Sequence, residues 1–403
     1  MKLRSADRAR TLNPTILLLS IVSFIVVAVM TVTGPMLPLI ADDFGTSIGG
    51  AGIIVSAFAV PYGACQIFFG PVGDRLGKLH VIALALGVSA IFVCASGVAD
   101  SIGFLASMRF LCGVFMAATV PLALAYIADE IPYKDRQPVM GRFVNGLVLG
   151  QIAGGVLGGI VSEYFDWRLI FYLFGVSGFV LALFLGRTAH RTDSKKRGPI
   201  QSPRDTVRLY LRLCARPSSR DLIIVGAIEG ALVFGLLAYF GAFLRDTYQI
   251  NYALIGLVLA AFGVGGMVYA AAVYRLVPTL GERGMISVGA VLVSATYLGI
   301  LAVPHWLGCM PLLFVSGFGF YLIHNTLQTR ATEMSEEARG TAVSFWVLMV
   351  FLGQGIGVVM FGRVIDAEGY GTAFSAGALG IILTGLWYQR RLRCYDRVAQ
   401  VRR

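Results

Sequence analysis

The chain has 403 residues, of which 57% are hydrophobic and 14% are charged, and its mean hydropathy is +0.77. Soluble domains carry about 25% charged residues, so this composition excludes an ordinary soluble globular protein. The net charge of +11 is spread over short segments between apolar runs. That distribution is typical of membrane orientation signals and does not indicate a partner nucleic acid.

Twelve apolar runs follow one another along the chain. Each is long enough, or nearly so, to cross a bilayer core of about 30 Å. The first run is too long for the core of a signal peptide, so it is counted as a span. We predict an all-α membrane protein of twelve transmembrane helices in two pseudo-symmetric six-helix halves. The spans lie near residues 15–40, 50–70, 79–99, 103–128, 138–162, 168–187, 221–244, 253–274, 285–303, 306–329, 340–362 and 371–388.

The basic residues indicate how these spans are oriented. With the N-terminus inside the cell, almost every Lys and Arg falls in an inner segment. The exceptions are Arg109 within a span and Arg168, Arg245 and Arg363 in outer loops. Because inner segments of membrane proteins are enriched in Lys and Arg, we predict an integral plasma (bacterial inner) membrane protein with both termini cytoplasmic.

The six cysteines lie mostly in apolar spans, and no two of them form a C-x-x-C pair. We therefore expect free thiols, with no disulfide framework and no metal site. The sequence also shows no phosphate-binding loop and no constellation of catalytic nucleophile and base. These features predict a protein that is not an enzyme, needs no cofactor and draws energy from an ion gradient rather than from ATP.

A polar, basic segment near residues 188–220 divides six spans from six. It predicts an N-terminal half (1–187), a cytoplasmic linker (188–220) and a C-terminal half with a short basic tail (221–403). A shift of 203 residues aligns Leu149-Gly150-Gln151 with Leu352-Gly353-Gln354, which indicates internal duplication. Residues 204–216 of the linker fit either an amphipathic helix on the membrane surface or a solvated connection.

Three local patterns stand out in the first half. Between the second and third spans the chain reads GPVGDRLGK, which contains Gly70, Asp74, Arg75, Gly77 and Lys78. In the fourth span Arg109 precedes the pair Cys112-Gly113. The fifth span carries a series of glycines at helical spacing: Gly141, Gly146, Gly150, Gly154, Gly155, Gly158 and Gly159. Small residues four apart let two membrane helices approach closely, so a static helix contact accounts for the glycines as well.

Taken together, these residues resemble the major facilitator superfamily. The loop is similar to its G-x3-D-R-x-G-R/K signature, and Arg109 to its R-x-x-Q-G motif, with Cys112 in place of the polar residue. The glycines are similar to its antiporter signature, with Gly155 where that signature has Pro. The resemblance implies that Asp74 docks on the helix beginning near Gly340 when the inner gate closes. It links Arg109 to proton transfer, although a side chain reaching towards the interface explains Arg109 equally well.

Glu229 is the one acidic residue deep in a span, and His324 lies in the tenth span. An ionisable group at that depth is expensive and suggests a function, here the loading and release of a proton. The resemblance implies a cavity lined by helices 1, 4, 7 and 10, so Glu229 and His324 are expected to meet there. A hydrogen-bonded structural pair, or two unrelated polar groups, is the alternative. The proton-coupling candidates are therefore Glu229, His324 and Arg109.

Aromatic and amide side chains along the spans are candidates for the substrate cavity. A count of 3.6 residues per turn places Phe240 about 20° from Glu229 on the seventh helix. The full set is Tyr62, Gln66, Asn145, Tyr239, Phe240, Asn325, Gln328 and Trp346.

The leading functional hypothesis is a proton-coupled exporter of small amphipathic or apolar compounds, which resembles the drug:proton antiporters of the superfamily. Efflux of a sugar or another polar metabolite is the alternative within transport. A membrane sensor on the same fold is a third hypothesis, against which the short termini argue. The expected partners are a small-molecule substrate, protons and the lipid bilayer, and we expect a monomer.

Overall fold

The computed structural model describes residues 14–192, 203–335 and 339–401, and these residues are almost entirely helical. Six helices form the first half of the molecule. They are α1 (Pro14–Asp43), α2 (Ile48–Leu76), α3 (Lys78–Ser96), α4 (Ile102–Glu130), α5 (Tyr133–Tyr164) and α6 (Leu169–Thr192). A separate linker helix, Pro203–Ala215, precedes the second half.

The second half contains α7 (Pro217–Tyr248), α10 (Trp306–Ala331) and two much longer helical segments. The segment Tyr252–Ala302 has 51 residues, or about 77 Å, more than twice the thickness of a bilayer core. It is interrupted at Gly281 (φ 59°), and the last segment is interrupted at Gly369 (φ 82°). These conformations favour glycine and turn the chain back. The segments therefore hold α8 (252–280), α9 (282–302), α11 (339–368) and α12 (370–401).

With these two interruptions, the ten apolar segments of the described chain give twelve membrane crossings. The predicted all-α architecture is confirmed. Successive helices run in opposite directions, so alternate connections lie at the same end of the bundle. We call the end that carries the linker helix the linker end, and the opposite end the far end. Several helices that begin at the far end have side-chain caps; for example, Ser47 Oγ accepts from the Gly50 N–H and Asn251 Oδ1 from the Leu254 N–H.

Large apolar side chains cover the outside of the bundle. Phe68, Leu84 and Phe179 are all exposed, as is typical of a surface that faces lipid tails rather than water. Inside each half, glycines bring helix backbones together. Gly150 of α5 lies against the Phe24 carbonyl of α1, and Gly317 of α10 lies against the Phe262 carbonyl of α8. Both contacts leave no room for a Cβ atom.

The two halves touch at the far end and part at the linker end. At the far end, α5 packs on α8, α2 on α11 and α1 on α7; in the last pair Gly241 lies against the Gly34 carbonyl. Towards the linker end, Thr119–Glu130 of α4 packs on helices of the first half and α10 packs on helices of the second half. The space between the halves therefore opens towards the linker end.

The linker helix packs on the second half through one of its faces. The Tyr210 ring stacks on Phe345 of α11 at 4.2 Å, and Leu213 is buried, while Leu211 is exposed. Burial raises the pKa of Tyr210 to about 12, so its hydroxyl stays protonated at physiological pH. Residues 193–202 of the linker, the first thirteen residues and the last two lie outside the described residues.

Candidate functional site

The backbone of α7 departs from regular α-helix where it carries Glu229. Its first section ends at Glu229, a π-helical turn spans Gly230–Phe234, and regular helix resumes at Gly235. A Cβ atom at Gly230 would clash with the Val350 carbonyl of α11, so α7 and α11 are in close backbone contact here. Single π-helical turns recur at functional sites, because they redirect the side chains of a helix.

Glu229 and His324 are in direct contact. Glu229 Oε2 lies 3.2 Å from His324 Nδ1, joining α7 to α10 within the second half. Glu229 is 5% exposed, whereas the His324 side chain is 18% exposed. The other carboxyl oxygen, Oε1, is buried and has no hydrogen-bond partner. An acidic group with one paired and one free oxygen is equipped to bind either a proton or a hydrogen-bond donor.

Aromatic rings enclose this pair. The His324 ring lies 4.9 Å from Phe320, 5.1 Å from Trp346 and 6.5 Å from Phe234, measured between ring centroids. The Trp346 indole lies against Gly226, one turn before Glu229 on α7. Its Nε1–H is buried and has no partner. Trp346 and Phe320 are buried, so in this conformation the rings form a closed apolar cluster around the pair.

Phe240 packs within the second half rather than along the space between the halves. Its ring packs on Tyr297 of α9 at 5.9 Å and on Phe374 of α12 at 4.7 Å, inside the second half. The expected spacing of about 20° assumed 3.6 residues per turn throughout. That assumption is wrong for α7, because the π-helical turn and the break at Ala238–Tyr239 both change the register.

Two of the predicted cavity tyrosines lie where the halves meet. The Tyr239 hydroxyl donates to the Val358 carbonyl at 2.7 Å and lies against Gly52 of the first half. The Tyr62 ring contacts Phe351 of α11 edge-on at 4.9 Å. Both side chains are buried, so in this conformation they belong to the contact between halves rather than to open space.

The predicted amide residues are placed differently from one another. Gln66 is buried in α2, Asn325 is half-buried, and Asn145 and Gln328 are exposed.

Gln151 of α5 accepts a hydrogen bond from the Tyr321 hydroxyl of α10 at 3.4 Å, which makes it a polar contact across the two halves.

Arg109 is fully buried in the first half. Its guanidinium donates to the carbonyls of Val29 (2.8 Å) and Met30 (3.4 Å) and lies over the Phe58 ring. The alternative that Arg109 reaches towards the interface is therefore wrong, because the side chain is buried and its two terminal nitrogens are bound by α1, while its Nε has no hydrogen-bond partner. These hydrogen bonds join α4 to α1 within the first half. Glu229 and His324 pair in the second half.

The loop motif forms a network of charges within the first half. Lys78 bridges Asp74 at 2.9 Å and Asp129 of α4 at 2.7 Å, while Arg75 is exposed. Gly77 ends α2 with a φ of 94°, which favours glycine. The Asp74 side chain is 42% exposed at the end of the bundle where the halves part.

The glycines of α5 form two ridges rather than one. Gly146, Gly150, Gly154 and Gly158 lie against successive turns of α1, within the same half. Gly155 and Gly159 lie instead against α8, where Gly159 meets the Tyr252 carbonyl of the other half. The spacing of the glycines in the sequence predicted a close helix contact. It did not show that the second ridge contacts the other half.

Comparison with known proteins agrees with this architecture. The family model for the Major Facilitator Superfamily matches residues 19–358. The chain belongs to this superfamily. Its members are transporters rather than enzymes, so the prediction that the chain is not an enzyme is confirmed. The chain is therefore an integral membrane transporter of small molecules.

Relatives within the superfamily are distant. An uncharacterized MFS-type transporter, YceJ, from Bacillus subtilis is 25% identical, with 88% of this chain and 90% of that protein covered. The multi-drug resistance efflux pump PmrA from Streptococcus pneumoniae is 23% identical, with 94% and 96% covered. The solved structure of a bacterial homologue of the human lysosomal transporter Spinster, described as inward-facing and unoccupied, is 19% identical. Its TM-score is 0.72, with 93% and 95% covered, and this likeness shows the fold.

Sequence reasoning missed several polar contacts between the two halves of this superfamily member, among them those made by Asp366. Asp366 of α11 accepts from the Ser47 hydroxyl (2.6 Å) and from the Gly49 N–H (2.9 Å) at the start of α2. A carboxylate at a helix N-terminus is favourable because it meets free N–H groups and the positive end of the helix dipole. An acidic residue near the end of a span was the available signal, but its partner lies over 300 residues away.

Proposed function

We propose that this transporter exports small amphipathic or apolar compounds in exchange for protons, by alternating access between the two halves. The observation that carries the proposal is the buried Glu229–His324 pair with its free carboxyl oxygen, enclosed by Phe234, Phe320 and Trp346. The carboxyl group offers a site for a proton, and the rings offer a wall for an apolar or aromatic compound. The relative PmrA is named as an efflux pump, which supports export as the direction of transport.

Glu229 is the coupling group in this proposal. A charge near the centre of a bilayer costs roughly 2.5–3.5 kcal/mol on insertion scales, so protonation changes the energy of the site substantially. A bias of that size shifts a two-state equilibrium by about a hundredfold. Protonated Glu229 favours one arrangement of the halves and ionised Glu229 the other, and His324 responds to the change through its direct contact.

The two ends of the molecule supply the gates. The linker end is cytoplasmic, as the basic residues indicate, so the conformation described here opens to the cytoplasm. The far end is then the outer gate, and the contact of Asp366 with the N-terminus of α2 holds it closed. When the inner gate closes, Asp74 docks on the N-terminus of α11 near Gly340 and makes the equivalent contact at the other end.

Efflux of a sugar or another polar metabolite is the second candidate. It is favoured by the amide and hydroxyl groups near the space between halves, in particular the Tyr321–Gln151 hydrogen bond across that space. A sugar requires several such donors and acceptors, whereas an amphipathic compound requires mainly the aromatic wall. The protein acts as a monomer in either case, because both halves of the site lie on one chain.

The test is uptake into inverted membrane vesicles under an imposed pH gradient. The panel contains ethidium (cationic and aromatic), chloramphenicol (uncharged and amphipathic) and arabinose (a sugar). We expect gradient-dependent accumulation of ethidium or chloramphenicol. Accumulation of arabinose alone selects the second candidate, and accumulation that persists without a pH gradient rejects proton coupling.

A further inference from the structure

A narrow cavity lies behind α7, on the side away from the first half. It is bounded by α7, α9, α10 and α12, is partly open to the surroundings, and leaves about 20 Å³ for the centre of a water-sized molecule, which is room for a single water. Its lining includes Glu229, Ile286, Ala290, Ile323, Thr384 and Tyr388, and every lining residue belongs to the second half. This side cavity is therefore separate from the space between halves through which substrate moves.

Glu229 supplies the polar end of the side cavity. Its Oε2 is occupied by His324, which belongs to the aromatic cluster. Its Oε1 is buried and unpartnered while the residue lines the cavity. An unpaired carboxyl oxygen in an apolar environment is unfavourable, so a ligand that hydrogen-bonds to it is favoured.

Water is the ligand that fits. The Thr384 hydroxyl donates to the Gly380 carbonyl at 2.7 Å, which leaves its oxygen free to accept a further hydrogen bond. A buried water needs two to four polar partners. Glu229, Thr384 and Tyr388 are the polar side chains of the lining, and the rest of the cavity surface is apolar.

Beyond the side cavity, the same helix faces lead to a cluster of charges at the linker end. Asp221 precedes Glu229 by eight residues, about 12 Å along α7. It accepts hydrogen bonds from Arg391 Nε and the Tyr395 hydroxyl, both at 2.5 Å. Beside it, Glu282 of α9 pairs with Arg330 of α10.

Tyr388 lies between this cluster and the cavity. It lines the side cavity, one turn after Thr384 on α12, and it lies one turn before Arg391, which binds Asp221. The ionisable and charged groups that face Glu229 are thus His324 from α10 and, beyond Tyr388, the cluster at the linker end.

We propose that Glu229 exchanges its proton with the cytoplasm through the side cavity and Tyr388, and not through the space that substrate occupies. This rests on the proposed coupling role of Glu229. In release, the Glu229 carboxyl gives its proton to a cavity water. That water passes a proton to the Tyr388 hydroxyl, which releases its own proton towards the Asp221 cluster. Two separate routes allow the proton to leave while the substrate cavity is filled.

Two substitutions test the route by removing one hydroxyl each with little change in volume: Tyr388→Phe and Thr384→Val. Two hydroxyls of the same half that lie outside the cavity provide matched controls, Tyr248→Phe and Thr296→Val. The measurements use the panel compound that the reconstituted protein accumulates. They are uptake driven by a pH gradient, substrate exchange at equal pH, and the ratio of driven uptake rates in H₂O and D₂O.

We expect Tyr388→Phe to slow gradient-driven uptake by about tenfold or more, in the range seen when a positioned proton-transfer group is lost. Substrate exchange at equal pH stays unchanged, and the solvent deuterium isotope effect increases because proton movement now limits the rate. Thr384→Val gives a smaller effect of the same kind, and both controls behave as wild type.

Two outcomes overturn this route. If driven uptake is lost in Glu229→Gln but unchanged in Tyr388→Phe and Thr384→Val, Glu229 remains the coupling group and the proton uses the central space. If driven uptake and exchange fall in parallel, with no larger isotope effect, Tyr388 has only a structural role. If Glu229→Gln itself retains driven accumulation, the proposed coupling fails and the side route fails with it.

Discussion

Burial has different consequences for two ionisable residues that lie deep in the spans. Arg109 and Glu229 are both ionisable groups deep in a span, yet their surroundings are opposite. Arg109 is bound by two backbone carbonyls of α1 and an aromatic face. Glu229 keeps one oxygen free beside a partly exposed histidine. The two terminal nitrogens of Arg109 are bound and only its Nε is unpaired, whereas the free oxygen of Glu229 is a site at which a carboxyl group can take up a proton.

Glu229→Gln should abolish pH-driven accumulation while exchange of substrate persists, because the amide resembles the protonated carboxyl and cannot ionise. The measurement compares driven uptake with exchange at equal pH in proteoliposomes. Glu368→Gln, at an exposed position at the far end, is the control and should transport normally. Full driven accumulation by Glu229→Gln would show that coupling resides elsewhere.

His324→Ala should shift the pH at which driven uptake is half-maximal and leave the maximal rate of exchange within about threefold. The reason is that His324 Nδ1 contacts the carboxyl that carries the proton. Uptake is measured as a function of pH on both sides of the membrane. An unchanged pH profile would mean that the contact is structural.

Arg109→Lys should destabilise the protein without changing the pH dependence of transport. A lysine cannot serve both the Val29 and Met30 carbonyls in the geometry of the guanidinium, and a hydrogen bond from a charged group is worth about 1.5–3 kcal/mol. A lower melting temperature in detergent is the expected readout, with the exposed Arg142→Lys as the control. An unchanged melting temperature together with lost coupling would assign Arg109 to proton transfer.

At the scale of elements, α5 holds two kinds of contact on two adjacent faces. The ridge from Gly146 to Gly158 joins α5 to α1 inside one half. Gly155 and Gly159 face α8 and form part of the contact that must separate when the far end opens. The same residue type thus contributes to stability on one face and to movement on the other.

Gly154→Ala and Gly159→Ala should therefore differ in effect. At Gly154 a Cβ atom clashes with the α1 backbone, so the melting temperature falls. At Gly159 it clashes with the Tyr252 carbonyl, so the far end closes less completely and turnover falls more than stability does. Gly178→Ala, where the nearest atom is 3.7 Å away, is the control for both. Equal, mild effects at all three positions would reduce the two ridges to ordinary packing.

At the scale of the whole molecule, the two gates use the same physical device at opposite ends. Asp366 of the second half binds the N-terminus of α2 in the first half. Asp74 of the first half is proposed to bind the N-terminus of α11 in the second half. Each contact closes one end, so weakening one should favour the conformation that the other stabilises.

Asp366→Ala should populate the conformation that is open at the far end, and Asp74→Asn should depopulate it and slow turnover. The distance between spin labels at Asp100→Cys and Leu307→Cys, both exposed at the far end, reports the change in a background without other cysteines. We expect a longer distance in Asp366→Ala and the unaltered short distance in Asp74→Asn. Shifts in the same direction would contradict opposing gates.

The sequence by itself determined the membrane class, the helical architecture and the family, because apolar length, charge distribution and local motifs are properties of neighbouring residues. It also singled out Glu229 and His324, since an ionisable residue in a long apolar run is visible without any fold. Only the tertiary structure decided which residues meet across the chain. Phe240 packed on α9 and α12, Arg109 was bound by two carbonyls of α1, and Asp366 met the start of α2. The side cavity likewise exists only because four helices far apart in sequence converge on it, and no local pattern records that convergence.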